Sequence, residues 1–245
     1  MNKLATKNIT VSYEGSKVID DISIELKQGE IVAILGVSGV GKTTLFNVIA
    51  GLVKPDGGTV ELDGKNITGT TGNVSYMLQK DLLLPYKTII DNVSLPLIIR
   101  GEKKSKAREY TSKYFEEFGL EGTENKYPNQ LSGGMRQRAA LLRTYLFSNQ
   151  VALLDEPFSA LDNITKGNMH QWYLNVMEQI KLSTFLITHD IDEAILLSDR
   201  IYIIAGKPGK ITEEITIDEP KPRHKDFIVS EKFMSYKKHI IKSLE

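Results

Sequence analysis

The chain has no cysteine. That excludes disulfide scaffolds, thiol nucleophiles and cysteine-ligated metals, and it points to a reducing compartment. Neither sign of charge is in excess, because 31 Lys and Arg balance 31 Asp and Glu. A protein that holds nucleic acid or acidic lipid over a broad face needs surplus cations, so no nucleic-acid partner is expected. Long hydrophobic runs are also missing. Stretches such as Ile31–Leu35 and Ile201–Ala205 fall well short of the roughly 20 apolar residues of a membrane span. The opening MNKLATKNITVSYEG carries no apolar segment behind its first lysine and does not read as a secretion signal. Internal repeats and low-complexity segments are absent as well. What is present is 41% hydrophobic residues in a chain of 245, enough for the core of one large domain or two small ones.

Periodicity places the elements. Ile9, Val11 and Tyr13 alternate with polar residues, as do Ile22, Ile24 and Leu26, which predicts two half-buried strands joined at Glu14-Gly15-Ser16. Ile31–Leu35 is continuously apolar and suits a central strand covered on both faces. A glycine-rich turn follows, then a helix through Leu45, Val48 and Ile49 that stops at Gly51. Val60 and Leu62 precede the turn Asp63-Gly64. Ala107, Tyr110, Tyr114 and Phe118 recur at helical spacing up to Gly119, and a further helix runs from Ser132 through Met135, Ala139 and Leu142. Val151–Leu154, Phe185–Ile187 and Ile201–Ile204 are core strands. Asp190 and Glu193 have capping-box spacing ahead of a helix over 191–197. The tail after Gly206 ends in an amphipathic helix carrying Phe233, Tyr236, Ile240 and Leu244, expected to dock on its own domain. Strands alternating with helices imply a mostly parallel sheet.

Three segments carry chemistry. Gly36-Val-Ser38-Gly39-Val-Gly41-Lys42-Thr43 is a P-loop between an apolar strand and a helix. Its glycines let backbone N–H groups turn toward phosphate oxygens, and the helix N-terminus adds partial positive charge. Lys42 is expected to reach the β- and γ-phosphates of ATP, and the Thr43 hydroxyl to hold Mg2+. Val151–Glu156 is an apolar strand ending in two acids: Asp155 fits a Mg2+ ligand and Glu156 the general base for an attacking water. In Leu131-Ser132-Gly133-Gly134-Met135-Arg136-Gln137-Arg138, Ser132 can cap a helix whose first N–H groups two glycines leave open. This is a second anion site.

The Leu-Ser-Gly-Gly segment beside a P-loop resembles the nucleotide-binding subunit of ATP-binding-cassette (ABC) transporters, over nearly the whole chain. Met135 stands where the family usually has Gln. The resemblance implies an α/β fold: a P-loop NTPase (RecA-like) core with an N-terminal antiparallel β subdomain over about 1–79 and 139–205. A helical subdomain is inserted over about 80–138, and 206–245 form a C-terminal extension. It also implies that Tyr13 stacks on adenine, that Thr44 joins the P-loop nucleotide contacts, and that Gln79 reaches Mg2+ and the attacking water. His189 would contact the γ-phosphate. Ser159-Ala160-Leu161-Asp162 would cross a dimer interface. Two subunits would pair head to tail, with Ser132, Gly133 and Gly134 of one covering the ATP of the other. The remaining histidines, His170, His224 and His239, are read as surface residues.

The same resemblance implies an energy-coupling ATPase at the cytoplasmic face of a membrane. It would be bound to permease subunits and, through them, to an extracytoplasmic substrate-binding protein. Gln79–Val93, Asp155–Asp162, His189–Ala194 and Pro208-Gly209 resemble importers of nitrate, taurine and alkanesulfonates. Tyr86 replaces a usual Trp, and Arg143-Thr-Tyr-Leu-Phe replaces a familiar Ala-Arg-Ala-Leu. The permease is expected to dock near Gln79–Val93, where Leu82–Tyr86 form either the edge of a groove or a buried loop. Lys103–Arg108 reads as a solvated helix start. Cassettes of lipoprotein release, efflux or cell division remain open alternatives. A DNA-repair-type cassette would need a long coiled coil between Gln79 and Leu131, and no sustained heptads lie there. A GTPase would need Asn-Lys-x-Asp, which Asn125-Lys126-Tyr-Pro does not supply.

Overall fold

In the computed structural model of the protein, the described residues are 2–148, 150–159, 161–221, 223 and 225–244, without the side chains of Asn163, Ile164, Thr165 and Lys225. Ala160 and His224, both singled out above, lie outside them. Strands β1 (Asn2–Tyr13) and β2 (Ser16–Lys27) pair antiparallel. Glu14 and Gly15 join them, both left-handed with φ of 50° and 78°, the two-residue turn whose twist matches that of the flanking strands. Asp63-Gly64 repeats this device between β4 (Gly57–Leu62) and β5 (Lys65–Asn66), giving an antiparallel sheet of order β2-β1-β4-β5.

The second sheet has six strands in the order β10-β9-β3-β8-β7-β6. They are β3 (Ile31–Leu35), β6 (Ser75–Met77), β7 (Val151–Asp155), β8 (Ser183–Thr188), β9 (Arg200–Ala205) and β10 (Lys210–Thr216). β6, β7, β8, β3 and β9 run parallel, and β10 pairs antiparallel with β9. The continuous apolar runs follow from coverage on both faces. Val32 and Ile34 point with Val151, Leu153, Phe185 and Ile187 into a core beneath α1 (Lys42–Ile49) and the antiparallel sheet. Ala152, Leu154 and Leu186 point the other way, toward α5 (Gly133–Phe147) and α6 (Asn163–Ile180). Ala33 and Leu35 meet α7 (Ile191–Leu197) and the C-terminal helix α9 (Glu231–Leu244), which follows the single turn α8 (Lys225–Ile228).

Short helices α2 (Ile89–Val93), α3 (Leu95–Ile99) and α4 (Lys104–Ser112) pack around α5. Here the structure corrects two expectations and extends a third. The helix expected to continue through Phe118 ends at Ser112, and residues 113–119 coil more tightly, with Tyr114, Phe115 and Gly119 each donating an N–H three residues back. Three-residue repeats put Phe115 and Phe118 on one side, and both are buried. The basic stretch over 103–108 is the solvated start of α4, as expected, and in addition Arg108 Nε and Lys104 Nζ reach the buried Asp91 of α2, at 2.8 and 3.1 Å. His170 is not a surface residue: it is 7% exposed on the buried face of α6, with Phe158 edge-on to its ring.

The tail is woven into the fold. β10 extends the sheet, and Phe233 and Ile240 of α9 are buried. Arg223 is 2% exposed. It donates to the carbonyls of Ile195, Leu196 and Ser198 at 2.5, 3.1 and 2.6 Å, supplying donors to otherwise unpartnered carbonyls at the end of α7. His239 is exposed as expected and pairs with Glu213 at 2.6 Å. Among the described residues no helix is long and apolar enough to cross a membrane.

Candidate active site

Because β3, β6, β7 and β8 are parallel, their C-terminal ends share one edge of the sheet, where open α/β folds bind ligands. That edge receives Gly36–Thr43 from β3, Gln79 from β6, Asp155-Glu156 from β7 and His189 from β8.

The P-loop turn is held by packing as well as by its own chain. A methyl group on Gly36 would stand 2.4 Å from the Ile204 carbonyl oxygen of β9. Gly41 has φ of 104°, and a methyl there would stand 2.3 Å from Ile19 Cγ2 of β2. Ile19 is itself pinned: the Gly209 N–H donates to Val18 O at 2.8 Å and the Asp20 N–H to Gly209 O at 3.0 Å. Gly209 in turn lies so close to the loop that a methyl on it would be 2.1 Å from Val40 O. Lys42 is 6% exposed, and its ammonium donates to Gly36 O at 2.7 Å and Val37 O at 3.0 Å. Burial pushes its pKa down, while the nearby Glu156 and Asp155 charges work the other way.

Thr43 Oγ1 donates to Asp155 Oδ2 at 3.1 Å, and the Tyr76 hydroxyl reaches the same oxygen at 3.4 Å. Burial raises the Asp155 pKa; the Thr43 hydrogen bond opposes that and the adjacent Glu156 charge adds to it. Such a carboxylate gains from any cation brought beside it. Glu156 sits in a left-handed turn, φ 46°, with its N–H donating to Ile187 O at 3.0 Å. Its two carboxylate oxygens are separately engaged. Gln79 Nε2 donates to Oε2 at 3.0 Å, and His189 Nδ1 lies 3.0 Å from Oε1. Ser159 Oγ donates to the Glu156 carbonyl at 3.0 Å and lies 3.4 Å from Gln79 Nε2.

The cluster thus brings together Lys42, Thr43, Gln79, Asp155, Glu156 and His189. Tyr13 lies at the tip of β1, 46% exposed. Ser38, Gly39 and Thr44 belong to the loop and first turn of α1. Ser132 caps α5 by accepting the Met135 N–H at 3.3 Å. Among the described contacts, those of the Ser132–Gly134 segment run to its own helix and none joins the P-loop; a methyl on Gly133 would stand 3.6 Å from Leu161 Cδ2. Asp162 is exposed beside Leu161. Sequence reasoning missed Tyr76 and the bracing of the loop by Ile19, Ile204 and Gly209, and it placed Ser159 in an interface loop without its contacts to Glu156 and Gln79. Only Tyr76 had a local signal, since alternation along β6 turns it away from Ser75 and Met77.

Residues 19–159 match the ABC transporter family. The chain is an ABC transporter ATP-binding subunit. This ABC subunit is 48% identical over 206 residues to the formylaminopyrimidine import ATP-binding protein ThiZ of Halalkalibacterium halodurans, covering 84% of this chain and 80% of that one. It is 39% identical over 230 residues to an aliphatic sulfonates import ATP-binding protein, SsuB, of Bacillus cereus, covering 94% and 89%. Among solved structures it resembles a dimeric ATP-binding cassette bound to ADP and Pi in a post-hydrolysis state: TM-score 0.74, 29% identity, 89% of this chain and 100% of that one. The likeness to cbiO1 of Clostridium perfringens, TM-score 0.81 at 22% identity over 98% and 99% of the two chains, bears on the fold alone. As a member of this family the ABC subunit is an ATPase of the importer type, peripheral to the cytoplasmic face of a membrane.

Proposed function

We propose that two copies of this subunit enclose two ATP molecules head to tail, and that hydrolysis drives import of a small organic solute through a permease. One observation carries the reading. The chain has two glycine-bearing helix starts suited to phosphate, yet the contacts among the described residues gather only the P-loop with the acids, leaving Ser132, Gly133 and Gly134 for a second copy. The dimeric cassette among its structural relatives supports the same arrangement.

In this reading Lys42 leaves its loop carbonyls for the β- and γ-phosphates, and Gly39, Gly41 and Thr44 present N–H groups to the same oxygens. Tyr13 offers its exposed ring to adenine. Glu156 accepts the proton of the attacking water, which Gln79 orients, while His189 holds the other carboxylate oxygen and faces the γ-phosphate. Asp162 lies at the junction with the partner. Thr43 and Asp155 supply two hard oxygen donors beside the cradle, and the described residues contain no cluster of three or more potential metal ligands. That donor set fits Mg2+, which keeps waters and phosphate oxygens in its shell. When bound, Mg2+ offsets charge on the triphosphate.

An apolar groove of about 480 Å3 beside the edge strand β6 is lined by Leu52, Tyr76, Leu82, Pro96, Ile99 and Phe147 among others. Its exposed Leu52, Leu82 and Ile99 support docking of a short permease helix. Leu83, one residue on, is buried in the core, so the Leu82–Tyr86 segment serves both purposes considered above. Relatives named for formylaminopyrimidine and aliphatic sulfonates support a small organic cargo, selected by the permease and a binding protein.

Glu156→Gln tests the reading. Turnover is expected to fall roughly 10²- to 10⁴-fold while ATP affinity stays within twofold, and ATP then shifts the chain from monomer to dimer in size-exclusion chromatography. Normal turnover in the variant, or a monomer with ATP held tightly, overturns it.

A further inference from the structure

Behind the active site lies a group of charged side chains that the hydrolytic scheme does not use. Glu193 has the spacing of a capping-box partner for Asp190, but only half of that box forms. Asp190 Oδ1 accepts the Glu193 N–H at 3.1 Å and so caps α7, whereas the Asp190 N–H goes to Thr188 Oγ1 at 3.0 Å. The Glu193 carboxylate turns inward instead, 2% exposed, toward α6. There Lys166 Nζ meets Asp190 Oδ2 at 2.8 Å and Glu193 Oε2 at 3.6 Å, and His170 Nε2 lies 3.5 Å from the same Glu193 oxygen. The Lys166 backbone N–H donates to Asp162 O at 2.8 Å. One residue therefore touches both the segment ending at Asp162 and the residue directly after His189.

Position and chemistry both single out Lys166. The His189 side chain is 55% exposed and pairs with Glu156 alone among its recorded partners. Its placement therefore depends on the backbone at 189–190, which the Asp190 cap and the Lys166 ion pair fix. Burial works against the charged Asp190, but hydrogen bonds from Lys166 and the Glu193 N–H outweigh it and hold its carboxyl below the ordinary range.

We propose that Lys166 is a positioning residue for hydrolysis: it clamps the helix that follows Asp162 to the segment bearing His189, so both move together relative to Glu156. A shift of the Asp162 segment against a partner then changes the His189–Glu156 distance. The proposal rests on the roles assigned above to His189 and Glu156.

The test uses the full chain. Lys166→Met is expected to lower kcat roughly tenfold to a hundredfold, the scale of a small misplacement of a reacting group, with KM and ATP affinity within twofold. Lys166→Arg, which keeps the charge and the reach, restores kcat to within about threefold. Asp190→Asn, which keeps the capping oxygen, reproduces the loss even where Lys166→Met fails to fold, and the double variant is no slower than the slower single one. Wild-type kcat per folded molecule in Lys166→Met, no rescue by Arg, or additive losses in the double variant overturn the clamp. Glu156→Gln is assayed in parallel. If it hydrolyses normally, the site itself is misassigned; if it is inactive while Lys166→Met is normal, the clamp alone fails.

Discussion

Replacing Gly41 with alanine tests how the phosphate loop is shaped. The backbone there has φ of 104°, and a left-handed conformation costs an L-residue about 1 to 2 kcal/mol. The new methyl would also stand 2.3 Å from Ile19 Cγ2 and 3.3 Å from Val18 O. Ile19 is fully buried and β-branched, so it has no free rotamer to escape into. Overfilling a packed site costs a further 1 to 3 kcal/mol or so. The sum, about 3 kcal/mol, lowers the unfolding midpoint by about 10 °C in a chain this size. Gly39→Ala is the control. Its φ is +80°, but no atom lies within 4 Å of the added methyl, so only the backbone cost applies, about 1 to 2 kcal/mol. Thermal or urea unfolding of both variants, with calorimetric titration of ATP, reads the difference. Gly41→Ala is expected to be the less stable by about 1 to 2 kcal/mol and to bind ATP at least tenfold more weakly. Equal destabilisation of the two variants would refute the claim that β2 shapes the loop.

Lys42→Ala removes a buried ammonium that donates to two loop carbonyls. It is expected to weaken ATP binding by about 2 kcal/mol, the scale of a charged hydrogen bond, and unchanged affinity by calorimetry contradicts the cradle. The Asp91 carboxyl is held down to about 2, chiefly by Arg108, with burial opposing and Lys104 assisting. A depressed carboxylate stabilises the fold above its ordinary range near pH 4, and the gain is lost as pH falls through about 2. Since Arg108 and Lys104 are largely exposed, roughly 1 kcal/mol of the nominal shift survives screening. Asp91→Asn should therefore cost about that much at neutral pH, with the gap to wild type closing below pH 4 in urea titrations. A gap independent of pH counts against the ion pair.

The strands and the site's loops were legible because their signals are local. β3 and β7 are continuous apolar runs, the P-loop is one contiguous motif, and Asp155-Glu156 ends a strand. What escaped was long-range or masked by composition. β10 reads Lys-Ile-Thr-Glu-Glu-Ile-Thr, a charged strand of the kind that protects a sheet edge from further pairing, and its composition hides it in the tail after Gly206. His170 looked like a surface residue because a lone histidine carries no periodicity. Yet it shares a helix face with Tyr173, Leu174 and Met177, all buried, and that spacing was available. Arg223 had no such signal: a buried arginine is explained only by the carbonyls at the end of α7, which are adjacent in space and not in sequence. Tyr76 joins Asp155 through sheet register, 79 residues away along the chain, so alternation gave its face but not its partner.

The bracing of the phosphate loop by Ile204 and Gly209 also bears on biosynthesis. A ribosome releases the whole turn from Gly36 to Thr43 long before it reaches the residues that press against it. Until β9 slots beside β3 and Gly209 reaches Val18, the loop has only the unpinned wall of β2 and no floor. Nucleotide capture by the nascent chain is therefore expected to follow closure of the sheet rather than to template it.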